Sequence, residues 1–260
     1  MAEVIVVDTP AIAGALVAGH IAQRVQESRD FTLGVATGST PLPVYEALRA
    51  QADAGTDFSR MWAFALDEYV GLPSGHHESY RAVIDREVTG PLGLDPAHVH
   101  VPDGSLDGIE SAGQRYEEAI NDHGGIDLQL LGIGATGHLG FNEPGSSFGS
   151  LTRVKTLTER TRVDNARFFN SLDEVPIHCV TQGLGTILRA RHLVLLAFGE
   201  GKSDAVAAAV EGPLTASMPG SAIQLHARVT VVLDPAAAQG LKYRDYYQWA
   251  QDNKPNWQGI

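Results

Sequence analysis

A histidine and a carboxylate lie five positions apart on a glycine-rich stretch in the middle of this chain. His138 follows three glycines, Gly132, Gly134 and Gly137, and Glu143 comes after it. An imidazole and a carboxylate held on such a turn can orient each other for proton transfer near neutral pH. The stretch is therefore a candidate acid–base site.

The same glycines also fit the spacing of a dinucleotide-binding fingerprint. That motif needs a buried strand before the glycines, and the apolar run 126–133 predicts one. It also needs a helix that begins directly after the third glycine. Segment 141–147 instead contains Asn142, Pro144 and Gly145, which predict turns. A nicotinamide site is therefore disfavoured.

Two further loops could hold a phosphate group. Segment 37–41, Thr-Gly-Ser-Thr-Pro, lies between an apolar run and a helical pattern, an order that points N–H groups and hydroxyls at an anion. An ordinary capped helix fits this pattern equally well. The second loop, Gly201-Lys202-Ser203, resembles the end of a nucleotide P-loop, but Leu196 stands where that motif needs glycine. ATP is disfavoured, whereas Lys202 could still bind a phosphate as a point charge.

Two adjacent acids, Asp67 and Glu68, follow the apolar run 61–66. Ligands of open α/β sheets bind at the carboxyl ends of strands, so one of these acids could be a base, although solvated acids are the alternative. His76 and His77 are followed by Glu78, but adjacent histidines point apart on a helix or a strand. We therefore predict no metal site.

Apolar runs alternate with helical patterns along the whole chain. The predicted strands are 4–7, 31–36, 61–66, 126–133, 192–198 and 229–233, and the predicted helices are 10–26, 44–50, 109–121, 204–210 and 243–253. This alternation favours an α/β fold, a three-layer sandwich whose mostly parallel sheet has helices on both faces. No linker, charge block or repeat divides the 260 residues, so we predict a single domain, 1–260, with a terminal helix at about 243–253.

Composition limits the partners. The net charge of −12 argues against nucleic acid, and an anionic substrate would need a few local cations. Cys179 is the only cysteine, so neither a disulfide within the chain nor a cysteine zinc site is expected, and a buried small side chain is favoured. The first residues lack a basic leader, and the apolar segment 11–19 is too short to span a bilayer. We expect a cytoplasmic protein that does not bind membranes.

Four segments together resemble the glucosamine-6-phosphate deaminase family. They are Thr-Gly-Ser-Thr-Pro at 37–41, Leu-Asp-Glu-Tyr-Val-Gly-Leu-Pro at 66–73, Gly-His-x-x-Phe-Asn-Glu-Pro at 137–144 and Val-Glu-Gly at 210–212. Their order and spacing match along nearly the whole chain. The resemblance implies a Rossmann-like α/β sandwich that converts glucosamine 6-phosphate and water into fructose 6-phosphate and ammonia without a cofactor.

The resemblance also implies roles for individual residues. Asp67 would be the base of the enolisation step, and His138, assisted by Glu143, would drive opening of the sugar ring. The loop Gly38, Ser39 and Thr40 would hold the phosphate, with Arg167 and Lys202 as its cations. Thr136 stands where the family usually has Asp or Asn, so the position beside His138 carries no charge.

Regulation and assembly are left open by the sequence. Ser146, Arg153 and Lys155 match positions that bind an acetylated activator in hexameric members of the family, whereas the tyrosines near the end, Tyr243 among them, fall out of register with that site. We therefore expect hyperbolic kinetics with little activation, and the chain could form a homo-oligomer.

Two other functions stay open. A 6-phosphogluconolactonase-like esterase would need the Gly-His element but not segments 67–69 and 141–144. A non-catalytic sugar-phosphate sensor has only Thr136 in its favour. The sequence does not distinguish the gluco from the galacto epimer of the substrate.

Overall fold

Ten strands form two sheets in the computed structural model, which describes residues 2–28, 30–255 and 257–260. The strands are β1 Glu3–Val6, β2 Thr32–Val35, β3 Trp62–Ala65, β4 Asp67–Tyr69, β5 Val99–His100, β6 Leu128–Gly132, β7 Arg153–Thr156, β8 His178–Thr181, β9 Leu193–Ala197 and β10 Val229–Leu233. Seven of them form a parallel sheet in the order β1-β10-β9-β6-β2-β3-β5. The other three form a small antiparallel sheet in the order β4-β8-β7.

Helices connect the strands of the large sheet. The α-helices are α1 Pro10–Glu27, α2 Leu42–Asp53, α3 Tyr80–Ile84, α4 Gly90–Leu92, α5 Ile109–Asp122, α6 Glu159–Asn165, α7 Leu184–Ile187, α8 Ser203–Val210 and α9 Arg244–Asp252. A π-helical turn, Asp85–Thr89, joins α3 to α4. The 3₁₀ turns are Pro96–His98, Ala166–Phe168, Leu172–Glu174, Glu200–Lys202 and Pro219–Leu225.

The parallel sheet is buried on both faces, which explains why its central strands are continuous apolar runs. Successive side chains alternate between two apolar layers: Val231 and Leu233 pack on one face with α5 and α8, whereas Val232 packs on the other with α1 and α2. This arrangement confirms the predicted α/β sandwich with a mostly parallel central sheet. Strand β10 matches its predicted bounds, β1 is shifted by one residue at unchanged length, and the other four predicted strands of this sheet are two or three residues shorter than predicted.

The small sheet departs from the sequence prediction. Asp67 was expected after the end of a strand, but it begins β4, which pairs with β8 more than one hundred residues later. Leu66 joins the two sheets: its N–H donates to Val35 O at 3.1 Å in the large sheet, and its carbonyl accepts the N–H of Gln182 at 2.7 Å. The chain therefore passes from one sheet into the other through a single residue.

No helix among the described residues is both long and apolar enough to cross a bilayer.

Candidate active site

A cavity of about 520 Å³ opens where the loops after β2, β3 and β6 meet. This edge holds the carboxyl ends of parallel strands, where α/β folds place their ligands. The cavity brings together most of the residues singled out in the sequence. Its lining includes Gly38, Ser39, Thr40, Asp67, His138, Arg167 and Lys202.

Asp67 places a buried carboxyl group at the wall of this cavity. Its side chain is 5% exposed. Burial, and then the charge of Glu68, raises the pKa of Asp67 to about 8. No group in the described part of the chain donates a hydrogen bond to its oxygens. A buried carboxyl group that receives no hydrogen bond from the protein and has a pKa near neutrality is suited to act as a general base.

Two glycines let the reactive side chains fit. A Cβ on Gly140 would lie 3.1 Å from Asp67 Oδ2 and 3.0 Å from Thr181 Oγ1. A Cβ on Gly134 would lie 2.1 Å from the imidazole of His138. These positions are closed to any larger residue unless the acid or the imidazole moves.

His138, Thr136 and Glu143 form the predicted acid–base group. Thr136 Oγ1 lies 3.0 Å from His138 Nδ1 and 3.3 Å from Glu143 Oε2, whereas the direct distance from Nδ1 to Oε2 is 3.6 Å. The hydroxyl has one hydrogen. When it donates to Glu143, it can only accept from His138 Nδ1–H, which leaves Nε2 as the proton acceptor. Thr136 therefore stands between the imidazole and the carboxylate.

Glu143 also binds the beginning of α6. Its Oε1 accepts hydrogen bonds from Thr158 Oγ1, at 3.2 Å, and from Thr161 Oγ1. Burial alone would raise the pKa of Glu143, but the bonds from His138 and Thr161 hold it at about 2. The carboxylate is thus kept ionised beside the imidazole.

The predicted phosphate loop lines the cavity. The loop 38–40 leads into α2, whose N-cap, Pro41, gives the helix no side-chain cap. The first N–H groups of an uncapped helix carry partial positive charge and bind anions. Pro43 has no N–H, and Val44 N–H donates to Pro41 O at 2.9 Å, so Leu42 offers the N–H of this first turn that has no partner among the described residues. The phosphate role of the loop stays a prediction.

Two cations complete this end of the cavity. Lys202 ends a 3₁₀ turn ahead of α8, and Arg167 follows α6. Burial, and then the charge of Arg167, lowers the pKa of Lys202, while Asp164 opposes that shift. Asp164 is therefore a carboxylate close enough to Lys202 to act on it electrostatically.

The three residues matched to an activator site are not gathered in this cavity. Arg153 lines a second cavity of about 510 Å³, together with Glu110 and His178. Ser146 is 3% exposed, and its hydroxyl donates to Glu143 O at 2.7 Å. Lys155 lies two residues from Arg153 on the same face of β7. Their binding of an activator stays a prediction.

Several cavity residues were missed by sequence reasoning. Tyr80, Arg86 and Glu87 reach the cavity from α3 and the π-helical turn, and Thr161 and Asp164 reach it from α6. No local pattern marks them, because they reach the cavity only through the tertiary packing of their helices. Within the described residues, no group of three or more His, Cys, Asp and Glu side chains is arranged to hold a metal ion.

Comparisons with known proteins agree with this geometry. Residues 9–232 match the family model described as glucosamine-6-phosphate isomerases/6-phosphogluconolactonase. The chain is 55% identical over 258 residues to a glucosamine-6-phosphate deaminase of Pseudarthrobacter chlorophenolicus, covering 99% of this chain and all of that protein. It is 53% identical over 270 residues to one of Bifidobacterium longum subsp. infantis, covering 100% of each.

Solved structures show the same likeness. The chain is similar to a monomeric glucosamine-6-phosphate deaminase, with a TM-score of 0.88 and 38% identity over 92% of this chain and 99% of that one. A 6-phosphogluconolactonase from Leishmania guyanensis matches with a TM-score of 0.71 and 21% identity over 92% and 98% of the two chains. At that identity the second likeness shows the fold alone.

Proposed function

Because the chain belongs to the family of glucosamine-6-phosphate isomerases and 6-phosphogluconolactonases, we propose that it is the deaminase of this family. It converts glucosamine 6-phosphate and water into fructose 6-phosphate and ammonia. One observation carries this function: a single cavity is lined by two separate proton-transfer groups, the buried Asp67 and His138, and Thr136 and Glu143 support His138 from behind the cavity wall. Ring opening and enolisation are separate proton transfers, so the reaction needs both.

Ring opening is assigned to His138. With the phosphate on the loop 38–40 and Lys202, the Nε2 of the imidazole accepts the proton of the C1 hydroxyl and returns it to the ring oxygen as the C1–O5 bond breaks. Glu143, held ionised, stabilises the imidazolium that forms between these two steps. Thr136 transmits this support through its hydroxyl.

Enolisation is assigned to Asp67. Its carboxylate removes the proton from C2 of the open chain while the aldehyde oxygen O1 takes a proton from the C2 ammonium group, which gives an enolamine. The carboxyl group of Asp67 then delivers its proton to C1, and the C2–N bond becomes an iminium. Water then adds to C2, and ammonia leaves as the C2–N bond breaks. The burial that raises the pKa of Asp67 makes its ionised form a strong base.

The two alternatives are less well supported. A lactonase needs neither Asp67 nor the segment 141–144, yet both contribute to the cavity. A sensor needs only the phosphate end, yet the chain keeps a buried carboxyl group with a raised pKa at the other end. Retaining such a group without chemistry would cost stability above pH 4 for no gain.

A coupled assay tests the proposal. Purified protein is given glucosamine 6-phosphate, and ammonia and fructose 6-phosphate are measured separately, with galactosamine 6-phosphate as the epimer control and Asp67→Asn as the inactive control. Equal release of both products, abolished in the variant, is expected. Saturable binding of the sugar phosphate without either product would favour a sensor, and hydrolysis of 6-phosphogluconolactone would favour the esterase.

Location and assembly complete the proposal. Sugar phosphates are charged metabolites that do not cross membranes unaided, so we place the enzyme in the cytoplasm. The matched solved deaminase is described as monomeric. Light scattering in solution would distinguish a monomer from the homo-oligomer that the sequence leaves open.

A further inference from the structure

Glu68 is a buried acid that the mechanism above does not use. Its side chain is 6% exposed, yet it does not line the cavity. Successive side chains of a strand point to opposite faces, so on β4 Glu68 points away from the face that carries Asp67. A carboxyl group is rarely buried without partners, because burial disfavours its charged form.

The partners of Glu68 are three backbone N–H groups. Its Oε1 accepts from Tyr69 N at 2.7 Å and from Tyr80 N at 2.9 Å, and its Oε2 accepts from Arg81 N at 2.9 Å. Burial raises the pKa of Glu68, and these N–H groups oppose the rise. Every contact offers a donor and none offers an acceptor, so the site fits the ionised carboxylate.

Two of these donors begin α3. Tyr80 and Arg81 are its first two residues, and the hydroxyl of the N-cap Ser79 accepts the next N–H, that of Ala82, at 3.1 Å. Glu68 and Ser79 together therefore satisfy the first three free N–H groups of the helix. The ring of Tyr80 forms part of the cavity wall. Glu68 thus fixes one side of the cavity to β4.

The same carboxylate lies one residue from the proposed base. A like charge held nearby disfavours ionisation of Asp67. His138, Arg167 and Lys202 line the same cavity as Asp67. The titratable groups buried beside Asp67 are neutral, because burial raises the pKa of each. They are Tyr69 on β4, Tyr80 on α3, Tyr116 on α5 and Cys179 on β8. Glu68 is therefore the charged group that acts on Asp67.

We propose that Glu68 is a positioning residue for the deamination, which fixes the cavity wall at Tyr80 and holds a negative charge beside Asp67. The proposal rests on the proposed function, since it assigns Asp67 as the base. Its two parts are separable: the charge acts through Coulomb repulsion, whereas the wall depends on the three hydrogen bonds.

Three variants separate these parts. Glu68→Gln removes the charge and one acceptor, Glu68→Asp keeps the charge but shortens its reach, and Ser79→Ala weakens the same helix start without changing any charge. For each, kcat and KM are measured from pH 5 to pH 10. The carboxyl carbon of Asp67 is titrated in parallel by ¹³C NMR and assigned by its loss in Asp67→Asn.

In Glu68→Gln, the acidic limb of kcat/KM should move to lower pH by about one unit, because the carboxyl group of Asp67 loses its negative neighbour. The plateau of kcat should fall about threefold, since a weaker base accepts the proton less readily. Glu68→Asp and Ser79→Ala should raise KM and leave the limb in place. A merely structural loss would lower kcat/KM at every pH without moving the limb.

If the acidic limb of kcat/KM and the titration of Asp67 in Glu68→Gln both coincide with those of the parent protein, the proposal is overturned. If Glu68→Gln does not fold, Glu68→Asp decides. A raised KM with the acidic limb of kcat/KM unmoved supports the proposal. A limb displaced by a full pH unit, although the charge is still present, contradicts it. The NMR titration needs no turnover. A parent that releases no ammonia, while Asp67 still titrates lower in Glu68→Gln, would refute the proposed function and leave the effect of Glu68 standing.

Discussion

Replacing Asp67 by Asn should stabilise the protein at alkaline pH while abolishing turnover. In the folded chain the pKa of Asp67 is raised from 3.8 to about 8, by burial and then by Glu68. The folded protein therefore keeps a proton that the unfolded chain has already lost. Its free energy of unfolding falls as the pH rises from about 4 to about 8. Asn carries no charge at any pH, so it removes this dependence.

The size of this stability difference follows from the pKa shift of Asp67. Each pH unit inside this window costs about 1.4 kcal/mol, so the free energy of unfolding of Asp67→Asn, relative to the parent, should grow by about 3.5 kcal/mol between pH 5 and pH 8. Any cost of burying the amide is common to both pH values and cancels from this comparison.

Urea unfolding of both proteins at pH 5, 6.5, 8 and 9 measures the difference. Asp122→Asn, at the exposed end of α5, is the matched control and should show a difference that does not change with pH. Turnover of Asp67→Asn should fall by about 10² to 10⁴-fold with little change in substrate binding. A stability difference that stays flat between pH 5 and pH 8 would show that Asp67 is already ionised in the folded protein and would refute the argument from burial.

Three further substitutions test the rest of the cavity. Lys202→Ala should raise KM about tenfold and leave kcat nearly unchanged, because it removes a charge proposed to bind only the non-reacting phosphate. The control Lys242→Ala, at a solvent-exposed lysine, should change neither KM nor kcat. Thr136→Val keeps the shape but removes the hydroxyl beside His138, so kcat on the cyclic sugar should fall about tenfold, and an unchanged kcat in a rapid-mixing assay would exclude the bridge. Asp164→Asn should lower KM about threefold and tighten binding of inorganic phosphate in calorimetry, since it removes a negative charge near the clamp; weaker binding would contradict this.

The sequence predicts those parts of the fold whose signal is local. The run 229–233 is apolar except for Thr230, because β10 is buried on both faces, and its predicted bounds are correct. The strand nature of 67–69 was missed because its partner, β8, lies more than one hundred residues away. Three polar or aromatic residues after a strand carry no periodic signal for a second sheet.

In the candidate site, too, local pairings could be predicted from the sequence and distant contacts could not. The pairing of His138 with Glu143 could be predicted because both lie on one turn, and the structure brings them together through Thr136. The bonds from Thr158 and Thr161 to Glu143 could not be predicted, because they depend on how α6 returns to the glycine turn. The three N–H partners of Glu68 are hidden for a similar reason: two of them lie twelve and thirteen residues further on.

Leu66 couples the two sheets mechanically as well as in sequence. Its N–H is bound to the large sheet at Val35, and its carbonyl is bound at Gln182, directly after β8. Opening the small sheet alone would break the second bond and pull on the first, so neither sheet can fray past this residue independently. We expect the amide protons of Leu66 and Gln182 to exchange with solvent only when the whole chain unfolds. Asp67, the proposed base, follows Leu66 and would then lie in the slowest-exchanging part of the protein, held in place before the substrate arrives.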